Sequence, residues 1–150
     1  MRLYQLKYTT IIDANLEQVW NFFSNPDNLG ELTPKHIKFE IRSDNETSMY
    51  AGKIISYNIT PIASIPMKWV TEITHYKERK YFIDEQRFGP FKFWHHLHKF
   101  IEEDGKTIMI DEVSFAYYGG YIGGLLQQSF LSKRIKNIFD FRTKKIRELF

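Results

Sequence analysis

Five polar residues in the middle of the chain are the ones whose types and spacing can do chemistry: Asp84, Gln86, His96, His98 and Asp111. Four of them lie in the stretch Tyr81 to Ile101, YFIDEQRFGPFKFWHHLHKFI, which reads as two strands joined at Gly89-Pro90. Side chains alternate across a strand with period two, so Phe82, Asp84, Gln86 and Phe88 are predicted to share one face. On the return strand Trp94, His96, His98 and Phe100 share a face, and His95 points the other way. The same parity on the following strand sets Asp111 beside Val113 and Phe115. An aromatic surface with a polar line through it results. Burying such groups without partners costs roughly 1–3 kcal/mol each, so the line must bind something or bind itself.

Three kinds of chemistry suit this set. A histidine–carboxylate pair in an apolar setting can act as a general acid/base, which suits aldol-type cyclisation, proton abstraction or hydrolysis; His96, His98 and Asp84 are the catalytic candidates. Alternatively, His96 and His98 can present two imidazoles to one metal, with Asp84 or Asp111 as a third ligand. Or the imidazoles can hydrogen-bond Asp84, Gln86 or Asp111 across neighbouring strands as a satisfied polar girdle in a pocket wall. The girdle is favoured, because structural zinc sites ordinarily use four protein ligands and catalytic sites three with supporting partners. No metal and no cofactor is expected. Covalent catalysis finds no nucleophile: Ser114 and Ser129 lack an elbow motif, and the chain has no cysteine. Gly119-Gly120 with Gly123-Gly124 lacks the Lys-Ser/Thr of a phosphate loop and reads as a turn into a helix.

The elements that position these residues follow from periodicity. Residues 3–12 read as a strand rich in Tyr, Thr and Ile. Asp13 or Asn15 offers a cap for a helix whose apolar positions are Leu16, Val19, Trp20 and Phe23. Asn25-Pro26 ends it, and Asp27 to Leu32 can form one more short turn. Strands are predicted near 37–43, 50–60, 66–78, 80–88, 92–103 and 106–118. Between them stand Asp44-Asn45, an apolar loop from Pro61 to Pro66, Gly89-Pro90 and Asp104-Gly105. On the third of these strands Met67, Trp69, Thr71, Ile73 and His75 share a face. Leu125 to Phe150 reads as one long helix with an apolar stripe at 131, 135, 138, 139, 146 and 149. Lys133, Arg134, Lys136, Arg142, Lys144, Lys145 and Arg147 are assigned to its solvated outer face.

Composition bounds the answer. At 150 residues, 43% hydrophobic and 26% charged, the chain is expected to be a single globular domain over 1–150. Aromatic residues make up 17%, enough to line a pocket as well as fill a core. The net charge of +3 is too mild to point to nucleic acid. No apolar run approaches the roughly 20 residues of a membrane span, and no signal-peptide pattern opens the chain. Lack of cysteine fits a reducing compartment, so a cytoplasmic location is expected. The stripe of the long helix is needed to cover the sheet, so membrane contact is not expected. One strand, two short helices, six strands and a long helix make an α+β domain, in which a twisted sheet curls around the helix and leaves a hollow.

That order resembles the helix-grip fold of the START-like (SRPBCC) superfamily, across essentially the whole chain. Leu16 to Pro26, LEQVWNFFSNP, after the first strand is similar to an opening motif of that superfamily. Asp84 to Phe91, Trp94 to Phe100 and Asp111-Glu112-Val113 resemble a bacterial subgroup of it. The resemblance implies a curved seven-stranded antiparallel sheet wrapped around the C-terminal helix, with a ligand cavity between them. It does not imply a ligand, since transport, cyclisation and chaperone-partner roles share the scaffold. The expected function is carriage or sensing of a small hydrophobic or aromatic molecule, by a monomer or weak homodimer. Its cavity is expected to hold roughly 300–1,000 Å³. Trp69, Phe82, Trp94, Phe100 and Phe115 are the expected wall, and Asp84, Gln86, His96, His98 and Asp111 the polar contacts. The alternative is a cyclase, isomerase or hydrolase that uses a pocket histidine.

Overall fold

Alternation of Tyr, Thr and Ile yields strand β1, Tyr4–Ile12, at one edge of the sheet. Helix α1, Leu16–Phe23, follows, capped by Asn15, whose side chain accepts the Gln18 N–H at 2.9 Å. It buries Val19, Trp20 and Phe23. A 3₁₀ helix, Pro26–Gly30, begins on a proline that supplies no N–H, and Asn25 caps it by accepting from Asp27. Strands β2 (Phe39–Ile41), β3 (Ile54–Ile62), β4 (Ile65–Lys77), β5 (Tyr81–Phe88), β6 (Phe93–Glu103) and β7 (Lys106–Ala116) precede helix α2, Gly124–Leu149. The computed structural model describes residues 2–42, 48–62, 65–118 and 124–150. The expected turns at Asp44-Asn45, Gly119-Gly120 and Gly123, and the stripe position Leu131, lie outside the described residues or side chains.

All neighbouring strands pair antiparallel in the order β1-β7-β6-β5-β4-β3-β2. The curved sheet wraps around α2 in an α+β helix-grip arrangement, as its element order predicts. Two apolar clusters fill the interior, and Trp69 packs against both. One gathers Trp20, Phe23, Phe82, Phe100 and Ile146 beneath α1. The other gathers Phe91, Trp94, Phe115, Ile135 and Phe139 under the first described turns of α2.

Three expectations are corrected here. The apolar Pro61–Pro66 loop is instead strand on both sides, with Ile62 paired to Ile65 and residues 63–64 outside the description. A register shift between Ile59 and Ile62 accommodates a proline that cannot donate to the ladder. His75 leaves the face of Ile73 and is exposed, because a second irregularity between Ile73 and His75 resets parity. That shift turns Tyr76 inward, where it packs on Trp20 with ring centroids 5.6 Å apart. Phe88 is not on the concave side with Phe82: it is 66% exposed, beyond the irregularity between Val70 and Thr71 where the ladder steps from Gln86 to Phe88.

Candidate functional site

Strand register assembles the polar line. Asp84 pairs with His96 and Phe82 with His98 across β5 and β6; His98 pairs with Asp111 across β6 and β7. The buried residues of β6 are Trp94, His96, His98 and Phe100, and those of β7 include Met109, Asp111, Val113 and Phe115. Both imidazoles therefore stand inside, each between a carboxylate and an apolar neighbour. His95 lies on the other face and meets Glu85 at 2.8 Å.

Every ring nitrogen of the pair is engaged. His96 Nε2 lies 3.0 Å from Asp111 Oδ1, and His96 Nδ1 lies 3.4 Å from Asp84 Oδ2. His98 Nε2 is 2.9 Å from Asp84 Oδ2, and its Nδ1 is 3.0 Å from Asp111 Oδ1. Trp94 donates its indole N–H to the second Asp84 oxygen at 3.2 Å. From α2, Arg142 Nη2 reaches His98 Nδ1 at 3.3 Å and Asp111 Oδ1 at 3.6 Å. Its guanidinium lies over the rings of Phe23 and Phe139 at 5.4 and 5.8 Å.

Arg142 is a correction to the sequence reading, which assigned it to the outer face of the helix. It is 7% exposed, alongside buried Ile135, Phe139 and Ile146. The spacing 135, 139, 142, 146 is helical, so Arg142 occupies the stripe itself. Its charge disguised a position that the period had marked.

The electrostatics follow from burial opposed by partners. Burial alone raises the carboxyl pKa of Asp111, but Arg142 and both histidines overcome it and hold the group well below the carboxylate range. Asp84 behaves likewise: the charge and hydrogen bond of His96, then those of His98, outweigh desolvation and keep it ionised. Burial works against the His96 imidazolium, yet Asp84 and Asp111 raise its pKa above the ordinary value. His98 goes the other way, because burial and the charge of His96 outweigh the same two carboxylates. With His96 protonated and His98 neutral, the charges of Asp84, Asp111, Arg142 and His96 cancel. His98 Nδ1 faces both Asp111 Oδ1 and Arg142 Nη2, so whether it donates to the first or accepts from the second follows the tautomer.

A cavity of about 230 Å³ lies over this cluster. Of the expected residues, Trp69, Phe82, Asp84, Trp94, His96 and His98 line it. Four do not. Phe100 packs between Trp20 and Phe23, and Phe115 stacks against Tyr4. Asp111 is buried at 3% exposure behind the histidines. Gln86 is committed to the turn: its carbonyl accepts the Phe91 N–H at 3.2 Å, and its amide donates to the Phe91 carbonyl. Gly89 permits this, since a Cβ there would sit 2.5 Å from Gln86 Oε1 and 3.0 Å from Trp69 Cδ1. Sequence reasoning missed Tyr57, Thr71, Phe91, Phe139 and Arg142 on the wall. The volume falls below the expected range of roughly 300–1,000 Å³.

Asp84, His96 and His98 bring ligand-type atoms within 4.8 Å of one another. The guanidinium beside His98 already occupies the cation's place in that cluster, so a divalent ion there would add charge to a balanced group.

Residues 12–139 match the family described as polyketide cyclase / dehydrase and lipid transport. The chain belongs to this family. Among curated proteins none matches it. Among solved structures, the Zhui aromatase/cyclase from Streptomyces sp. R1128 is similar at 12% identity, with a TM-score of 0.75 over 98% of this chain and 93% of that one. TTHA0849 from Thermus thermophilus is similar at 16% identity and a TM-score of 0.70, covering 97% and 95%. Ginseng major latex-like protein 151 from Panax ginseng gives 13% identity and a TM-score of 0.68, covering 97% and 96%. Identities this low establish the fold alone, and membership of the polyketide cyclase and lipid transport family makes it a ligand-binding fold.

Proposed function

We propose that the protein carries or senses a small hydrophobic or aromatic molecule, held in the cavity between the sheet and α2, without chemical turnover. One observation carries this reading: all four imidazole nitrogens of His96 and His98 are turned to Asp84, Asp111 and Arg142. A general base needs a lone pair within hydrogen-bond reach of the proton it takes. Here every nitrogen of the two rings already faces Asp84, Asp111 or Arg142 within 3.4 Å. Trp69, Phe82, Trp94, Phe91 and Phe139 supply apolar wall, and Asp84, with its side chain 18% exposed, is the most open member of the cluster.

The solution partner is a small molecule; nucleic acid, membrane and cofactor have no part in the proposal, and the protein acts as a monomer or weak homodimer in the cytoplasm. Among the described residues no helix is long and apolar enough to cross a membrane. The test is native mass spectrometry of protein purified from its own host. A co-purifying apolar molecule of stoichiometric abundance is expected, and reproducible recovery of the bare chain across growth conditions would count against the reading. The competing cyclase, isomerase or hydrolase reading needs His96 or His98 to give up a carboxylate partner. It would be supported by any turnover that His98→Ala abolishes while ligand affinity persists.

A further inference from the structure

Ile11 of β1, Ile108 of β7 and Ile101 of β6 stand in one row, paired across three neighbouring strands. They alternate with Ile12, Thr107, Met109 and Phe100, which are buried on the concave side, so the row faces outward. Ile11 is 63% exposed and Ile101 38%, and Ile108 is half-buried. Ile110, in the next row of β7, is half-buried as well. None of the four belongs to either interior cluster. A lone isoleucine on a surface is ordinary, but a row across three strands with a fourth beside it forms a patch. On the same face, Lys99 and Glu103 stand two residues to either side of Ile101, and both are exposed. Among the described residues neither enters an ion pair or a side-chain hydrogen bond.

Independently of what the cavity holds, we infer that this face docks on a second copy of the chain, about a two-fold axis that runs along the isoleucine row, across the strands. Such an axis reverses the direction of each strand and keeps it opposite itself. Each isoleucine then lies on its own counterpart, and Lys99 of either copy comes opposite Glu103 of the other. Two exposed charges without partners in one chain are paired twice over in the dimer. Lys106, whose ammonium meets Asp13 at 3.0 Å, turns its apolar stem towards Ile110 of the second copy. An axis along β7 would instead set Asp13 opposite Glu103 of the second copy, and like charges opposed across an interface repel. Stacked sheets lie about 10 Å apart, a gap that a lysine and a glutamate close from its two sides. Three strands about 4.8 Å apart and three rows about 7 Å apart outline on the order of 300 Å² per copy. That is well below the roughly 800 Å² per partner of a standard interface, so the dimer is weak and depends on concentration.

The experiment is sedimentation equilibrium of the full chain at low salt over a wide range of concentration. A monomer–dimer equilibrium is expected, weakened by added salt. Lys99→Glu and Glu103→Lys should each weaken it roughly tenfold, because each sets like charges opposite one another at two places. An equimolar mixture of those two variants should associate again, since each copy brings the charge that the other needs. Ile11→Ser should weaken self-association by loss of apolar contact. Melting temperatures of all three variants should stay near that of the unmodified chain, because the replaced side chains are exposed. That measurement separates a lost contact from a lost fold. A chain that remains monomeric throughout would overturn the inference. So would association that survives both charge variants, or a mixture that associates no better than its components, since either places the contact on another face. None of these outcomes bears on the carrier reading, which mass spectrometry tests separately.

Discussion

The imidazole rings of His96 and His98 lie tilted by 40° with centroids 3.7 Å apart, and the same two carboxylates, Asp84 and Asp111, serve both of them. Two imidazolium charges at that separation would repel each other strongly. The two rings therefore titrate as a coupled pair, protonation of one opposing protonation of the other.

Stability should depend on pH in a way that follows from this coupling. His96 has a raised pKa, so its contribution is complete below the ordinary 6.5 and is lost as pH rises through its native value. His98 has a lowered pKa, so below 6.5 the unfolded chain takes up a proton that the native protein resists, and stability falls. Asp84 and Asp111 add a steeper loss below the ordinary 3.8, because their native pKa values are lowered. A maximum near pH 6.5 to 7, with decline on both sides, is expected in melting temperatures taken from pH 3 to 9. His98→Asn should flatten the limb just below 6.5 and keep the alkaline one. A melting temperature constant between pH 5 and 9 would show that the rings do not titrate as a coupled pair.

Arg142 should be the most costly single loss in the cluster. Arg142→Met leaves the buried Asp111 carboxylate without its guanidinium, and breaking a buried pair from one side costs about 3–5 kcal/mol. The double variant Arg142→Met/Asp111→Asn should recover a large part of that, since it removes the orphaned charge too. Urea unfolding of the four proteins measures the coupling. Purely additive losses would show that Arg142 acts by packing on Phe23 and Phe139 alone.

Most of the scaffold was legible because its signals are local. Alternation placed Trp94, His96, His98, Phe100 and Asp111 on the concave face, and Asn15 announced α1 through the capping preference of its side chain. What escaped were the effects of irregular pairing and of the third dimension. A ladder shift near Ile73 exposed His75, and pairing through the Pro61 to Pro66 segment turned an expected loop into strand. Arg142 was hidden by a prior that charge faces water, although its helical phase matched Phe139 and Ile146. Tyr57 carries no signal in one sequence, because whether a strand tyrosine lines a cavity is a property of its surroundings.

Gly89 and Gln86 should behave as one device. Gly89→Ala brings a Cβ against the Gln86 carbonyl oxygen, so either the Gln86 clamp on Phe91 opens or the turn shifts, at a cost on the order of 1–3 kcal/mol. Gln86→Ala loses the clamp by itself and also removes the obstructing atom. In that background Gly89→Ala should cost much less, which a double-mutant cycle in thermal melts will reveal. Independent, additive losses would mean that Trp69, the other neighbour, sets the limit at Gly89.

The final expectation concerns metal. Asp84, His96 and His98 have the residue types of a divalent-ion site, and an ion bound to the native state would add its binding free energy directly to folding. Against this, the cluster is electrically balanced by Arg142, and each histidine nitrogen already meets a protein partner. A metal would have to break at least two of those contacts and sit beside a guanidinium. The melting temperature is therefore expected to stay unchanged on addition of EDTA or of zinc. Each cluster substitution, by contrast, should lower it by an amount that chelators do not alter, on the order of 1–3 kcal/mol for a lost network member. A drop of many degrees with EDTA, restored by zinc and absent in His96→Gln, would replace the hydrogen-bonded girdle with a metal centre.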